Sequence, residues 1–145
     1  MLVTRLLGPF LPSMIESVSE IQVRYAETDM MGIVYHANYL PWLEIGRTEL
    51  LRENGLPYKE IEDRGLMLPV LSVDVQYKRP AKYDDRITVH TRISEKPFLK
   101  IKIQYEVKRG EELLCTASTT HAFMTPDGRP TKPPAFFRDA IESKF

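Results

Sequence analysis

Apolar residues recur at every second position in five separate stretches of this chain, and that period permits little besides a sheet with one buried face. Ile21, Val23 and Tyr25 alternate with Glu20, Gln22 and Arg24. Leu71, Val73, Val75 and Tyr77 alternate with Ser72, Asp74, Gln76 and Lys78. Ile87, Val89, Thr91 and Ile93 alternate with Arg86, Thr88, His90 and Arg92. Ile101, Ile103, Tyr105 and Val107 alternate with lysines and polar residues, and residues 113–124 form a longer, more apolar run. The breaks carry turn chemistry at Arg79-Pro80-Ala81-Lys82, Asp84-Asp85, Arg109-Gly110-Glu111 and Pro126-Asp127-Gly128. Connections this short favour antiparallel neighbours.

One stretch has a different period. Over residues 39–54, Tyr39, Leu43, Gly46 and Leu50 fall on one stripe at helical spacing, with Glu49, Arg52 and Glu53 elsewhere. Asn38 can cap the start, Pro41 sits in the first turn where its missing N–H does no harm, and Gly55 suits the stop. Shorter helices are expected over residues 58–64 and 134–143. The order strand, long helix, four strands implies a curved antiparallel sheet of about five strands wrapped around one central helix, an α+β arrangement. One helix cannot cover such a sheet, so a homodimer or homotetramer is expected.

Composition narrows the function classes. The 20 Lys+Arg balance 20 Asp+Glu, which gives no reason to expect nucleic acid as a partner. A single cysteine, Cys115, excludes an intramolecular disulfide, and three scattered histidines lack metal-ligand spacing, so no metal or other cofactor is expected. No stretch approaches a membrane span. Residues 1–17 read as a flexible N-terminal extension, with Gly8, Pro9 and Pro12 breaking a short apolar run, and residues 18–145 as one domain. The location is expected to be cytoplasmic.

The chemistry is concentrated in residues 24–39, Arg24-Tyr25-Ala26-Glu27-Thr28-Asp29-Met30-Met31-Gly32-Ile33-Val34-Tyr35-His36-Ala37-Asn38-Tyr39. This run joins the first strand to the long helix. A helix start presents free N–H groups and a partial positive charge, which suit a developing oxyanion. A carboxylate a few residues upstream could lie beside the same carbonyl, a pairing suited to acyl transfer or hydrolysis. No nucleophile-elbow serine and no glycine-rich phosphate loop competes with this reading.

The T-D-x-x-G-I-V-Y-H-x-N-Y core resembles the signature of the 4-hydroxybenzoyl-CoA thioesterase family, and is most similar to the bacterial acyl-CoA thioesterase branch associated with the Tol–Pal gene cluster. The continuation Trp42-Leu43-Glu44-Ile45-Gly46-Arg47-Thr48-Glu49 resembles the family's helix. The resemblance implies the hotdog fold and hydrolysis of an acyl-CoA to a free acid and CoA. It implies Asp29 as the catalytic carboxylate, acting as nucleophile or general base, and the His36 backbone N–H as the group polarising the thioester carbonyl. Gly32 matches the loop glycine, Tyr35 and the His36 side chain would shape the acyl pocket or orient water, and Val34 would line it. A second branch of hotdog thioesterases uses a glutamate on this helix, which makes Glu44 the rival to Asp29. An ion pair between Glu44 and Arg47 is the preferred reading, because Asp29 already fills the role. Lys96, Arg129 and Lys132 are the cations expected to meet CoA phosphates. An acyl carrier protein as donor, or binding without catalysis, are the alternatives.

Overall fold

The computed structural model describes residues 14–145, so the extension read from Met1 to Ser13 lies outside the described residues. Five strands, β1 (Ile15–Gln22), β2 (Val70–Tyr77), β3 (Arg86–Ile93), β4 (Ile101–Arg109) and β5 (Glu112–His121), form one antiparallel sheet in the order β1-β3-β4-β5-β2. Three helices accompany it: α1 (Tyr39–Glu53), α2 (Tyr58–Asp63) and α3 (Ala135–Glu142). The alternation in β3 and β4 is realised as read, with Ile87, Val89, Thr91 and Ile93 buried against Ile101, Ile103, Tyr105 and Val107.

Helix α1 supplies the other half of the core through Tyr39, Trp42, Leu43, Gly46, Leu50 and Leu51. It stops where expected: Gly55 takes φ +75°, and the Gly55 and Leu56 N–H groups donate to Arg52 O and Leu51 O. A helix is reversed in this way when a residue free to adopt positive φ follows it. The approach of α1 to the sheet is closest at Gly46, where an added Cβ would lie 2.4 Å from Thr91 Oγ1.

Two features differ from the sequence reading. Strand β1 starts at Ile15, taking in residues assigned to the extension, and ends at Gln22. Tyr25 lies in a 3-10 turn, exposed, because the chain has left the ladder by then. The apolar face of β2 is not buried within the protomer: Val73 and Tyr77 stay about half exposed, at 46% and 48%. β2 is an edge strand, and α1 packs on β1 and β3 at the far side of the sheet.

Candidate active site

Residues 28–34 fold into a hairpin. Thr28 pairs with Val34, the Asp29 N–H donates to Ile33 O at 2.9 Å, and the Gly32 N–H closes the turn on Asp29 O at 3.0 Å. Gly32 has φ +77°, a conformation that disfavours a side chain. The Asp29 carboxylate accepts the Met31 N–H through Oδ1 at 2.9 Å, which holds it against its own loop, while Oδ2 has no protein partner among the described residues. Met30 and Met31 at the tip are exposed.

The hairpin is fastened to the helix start. The Tyr35 N–H donates to Glu27 O at 2.9 Å, and the Asn38 side-chain amide donates to the same carbonyl at 2.8 Å. Asn38 therefore does not cap α1 with its side chain, as the sequence suggested; its amide is spent on the loop. A 3-10 turn over His36–Asn38 leads into α1. The His36 and Ala37 N–H groups meet no acceptor among the described residues, as expected at the first positions of a helix. The Tyr77 hydroxyl donates to His36 O at 2.7 Å, tying edge strand β2 to the helix start. Along the ladder Asp29 faces Ile33, three residues before His36. That is about 10 Å of extended chain, enough for a carbonyl and a water between the acid and the N–H.

The hairpin and its exit thus carry Asp29, Gly32, Val34, Tyr35 and His36 together. Val34 is buried, whereas Tyr35 and the His36 ring are exposed, 4.4 Å apart between centroids. Such an acid beside free helix N–H groups can activate a nucleophile and stabilise an oxyanion.

A family model described as the thioesterase-like superfamily matches residues 23–141. The chain belongs to the thioesterase-like superfamily. It is similar to the Bacillus subtilis protein YneP, named as a candidate acyl-CoA thioesterase, with 43% identity over 72% of this chain and 77% of that one. The acyl-CoA thioesterase YbgC of Haemophilus influenzae is 34% identical over 80% of this chain and 85% of its own. The crystal structure of the DHNA-CoA thioesterase from Staphylococcus aureus superposes with a TM-score of 0.83 at 33% identity, covering 88% of this chain and 87% of that one. The sheet, the central helix and these neighbours agree on the hotdog fold.

The other expected site residues of this thioesterase lie apart from the hairpin. Glu44 is exposed on α1 and makes no ion pair with Arg47; both instead line a cavity of about 210 Å³ with His121. Lys96 and Lys132 line a second cavity, of about 320 Å³, beside Phe98 and Phe137. Lys96 is paired there with Glu142 at 3.1 Å, and Arg129 with Asp127 at 3.1 Å, so Lys132 is the one of the three without an acid partner among the described residues. His90 is half-buried, its Nε2 3.0 Å from Thr88 Oγ1. The described residues hold no cluster of metal-ligating side chains, and none of their helices is long and apolar enough to cross a membrane.

The reading of residue types passed over Trp42, Tyr77 and the clamping role of Glu27. Glu27 is buried, accepting the Trp42 indole N–H at 2.8 Å and the Arg24 backbone N–H at 2.8 Å. The available signal was chemical: a tryptophan on the buried stripe of a helix needs an acceptor for its N–H.

Proposed function

We propose that this thioesterase hydrolyses acyl-CoA thioesters to a free carboxylic acid and CoA, and that it falls in the Tol–Pal-associated branch that its loop signature resembles. The observation that carries the proposal is the clasp between the Asp29 hairpin and the start of α1, through Glu27 O and its two donors. It makes the acid and the unpaired His36 N–H parts of one rigid unit. In the proposed reaction the thioester carbonyl accepts the His36 N–H. Asp29 either takes a proton from water as that water adds to the carbonyl carbon, or adds directly to the carbon to give an anhydride that water then cleaves to the free acid and the Asp29 carboxylate. In both routes the C–S bond breaks and CoA leaves as the thiol, its proton coming from the consumed water. Tyr35 and the His36 ring border the reacting group, Gly32 and Val34 set the loop's shape, and Lys132 meets a CoA phosphate, with Lys96 and Arg129 able to join it by exchanging their acid partners. CoA esters are intracellular, so a cytoplasmic location accompanies the proposal.

The open edge of β2 supports assembly of two or more copies. Light scattering tests this, and a monomer at micromolar concentration would refute it.

Thiol release from a panel of acyl-CoAs tests the chemistry. Asp29→Asn is expected to lower turnover by at least two orders of magnitude with the fold intact, whereas Glu44→Gln retains most of it. The reverse ranking would transfer the role to Glu44.

A further inference from the structure

The cavity beside α1 has a polar wall that the proposed hydrolysis leaves unexplained. Arg47, Thr48 and Tyr58 line it, with Leu51, Leu68 and Ile103 as apolar surface and Glu44 exposed at the rim. A hydrogen-bond chain runs behind it. Tyr105 Oη lies 2.6 Å from Thr119 Oγ1, Thr119 Oγ1 lies 2.8 Å from His121 Nε2, and His121 Nδ1 lies 3.5 Å from Leu68 O, with the Arg47 charge near both Tyr105 and His121.

The direction of this chain is fixed by its Leu68 end, because a carbonyl can only accept. Tyr105 therefore donates to Thr119, Thr119 donates to Nε2, and the proton of His121 sits on Nδ1. Burial and the Arg47 charge agree, holding the imidazole neutral with a pKa of about 4. His121 is thus committed to the chain and is no base for the cavity.

Arg47 is different. Its guanidinium has five N–H donors, its charge faces the neutral Tyr105 and His121, and it has no carboxylate partner among the described residues. The Thr48 and Tyr58 hydroxyls also lack a hydrogen bond among them. A planar anion with two oxygens meets such a fork best.

An open apolar strip leads to this wall from the helix start. Tyr77 is bonded to His36 O, and Val75 and Val73 follow it on the same face of β2. Val73 lies opposite Thr119, a member of the hydrogen-bond chain. From Tyr77 to Val73 the strip is about 13 Å long. Exposed Leu40 lies on the same helix stripe as Glu44, Thr48 and Leu51.

We propose that the strip carries the acyl chain and that the Arg47 cavity is a subsite for a carboxylate at its far end. The carboxylate is either the distal group of a long dicarboxylic acyl-CoA or that of the released fatty acid. The inference rests on the reading of the chain as an acyl-CoA thioesterase. Glu44, one turn before Arg47, sets an opposing charge at the rim, so the subsite is tuned by both.

The test compares dodecanedioyl-CoA with dodecanoyl-CoA as substrates of the full chain, and dodecanedioate and dodecanoate as ligands by calorimetry. A distal-carboxylate site gives the dicarboxylic thioester the lower KM by about tenfold, one charge-assisted contact. Arg47→Gln closes that gap, Thr48→Val narrows it, and Glu44→Gln widens it. A product site shows no gap between the thioesters, but binds dodecanoate with an affinity that Arg47→Gln lowers about tenfold. Thermal melting of each variant identifies a folding defect, and Thr48→Val supplies the comparison if Arg47→Gln fails to fold. The subsite is overturned if Arg47→Gln and Thr48→Val leave both the thioester ratio and acid binding unchanged. If no acyl-CoA is hydrolysed, the proposed function fails, while calorimetry on the two acids still decides the subsite.

Discussion

The indole N–H of Trp42, in the first turn of α1, donates to Glu27 Oε2 at 2.8 Å, and both side chains are buried. The other carboxylate oxygen accepts the Arg24 N–H, and the Glu27 carbonyl holds Tyr35 and Asn38. One residue therefore joins the exit of β1, the hairpin and the helix. Glu27→Ala strands a buried indole donor and is expected to cost about 2–4 kcal/mol, since each buried group left unsatisfied costs about 1–3 kcal/mol. Trp42→Phe leaves Glu27 Oε2 buried with only the Arg24 guanidinium, at 3.6 Å, and is expected to cost about 1–3 kcal/mol in hydrogen bonding. Urea unfolding of both singles and the double gives the coupling. A Glu27→Ala protein as stable as wild type would remove the clamp from the account.

His36 is proposed to act through its backbone, which separates two substitutions that a side-chain role would not. Tyr35 has φ −61° and ψ 133°, the conformation that tolerates a following proline, and His36 opens a 3-10 turn where a proline ring fits. His36→Pro should therefore fold while deleting the N–H. Loss of one oxyanion donor typically lowers kcat by about 10²–10³-fold. His36→Ala keeps the N–H and should stay within about tenfold of wild type, since orienting effects of the ring are the smaller contribution. Steady-state kcat for the two variants checks this. Equal losses would return the role to the imidazole.

The β3–β4 core and the long helix were legible because each buries one face within its own protomer, so periodicity and burial coincide. That link fails at β2. Leu71, Val73, Val75 and Tyr77 alternate as a buried strand would, yet the sheet order leaves them at an edge with α1 on the far side. Period reports which residues share a face, not what covers it. That the Asp29 hairpin and the His36 helix start adjoin was legible in the loop, because residues close in sequence and ending at a helix start are held together locally. Glu27–Trp42, Tyr77–His36 and Tyr105–Thr119 join residues 14 to 41 positions apart, and only the fold brings them into contact. The Glu44–Arg47 pairing failed for the opposite reason. Their spacing allows an ion pair, but Arg47 sits beside Ile103 and His121 of the sheet without pairing with Glu44.

Gly46 sets how closely α1 approaches β3. A Cβ there would meet Thr91 Oγ1 at 2.4 Å and Val89 Cγ1 at 2.9 Å. Gly46→Ala gains up to about 1 kcal/mol in helix propensity. Overpacking costs about 1–3 kcal/mol, so a net loss of up to about 2 kcal/mol is expected once the full propensity gain is subtracted. The Thr91 hydroxyl is buried without a partner among the described residues, so Thr91→Ala relieves the clash without breaking a hydrogen bond. Gly46→Ala combined with Thr91→Ala should recover part of the loss, with the Val89 contact preventing full recovery. Melting temperatures of the two singles and the double decide it; additive losses would show that the two residues do not oppose each other.

His121 makes stability depend on pH in a defined window. Its side chain is 1% exposed, and burial first, then the Arg47 charge, lower its pKa to about 4 from the ordinary value of 6.5. Between those values the unfolded chain binds a proton that the native imidazole does not. Native stability is then complete above about pH 6.5, falls as pH drops through the window, and stops falling from this source below about pH 4, where the native state is protonated too. The loss across the window is up to about 3 kcal/mol. The hydrogen-bond chain acts in the same direction: protonated Nε2 would become a donor toward Thr119 Oγ1, whose own proton would have to turn away. His121→Gln lacks the titration and should flatten the stability profile between pH 6.5 and pH 4.5, though less stable than wild type at pH 7. Urea unfolding at pH 7, 5.5 and 4.5 measures both slopes. Parallel slopes for the two proteins would assign the acid sensitivity to other groups.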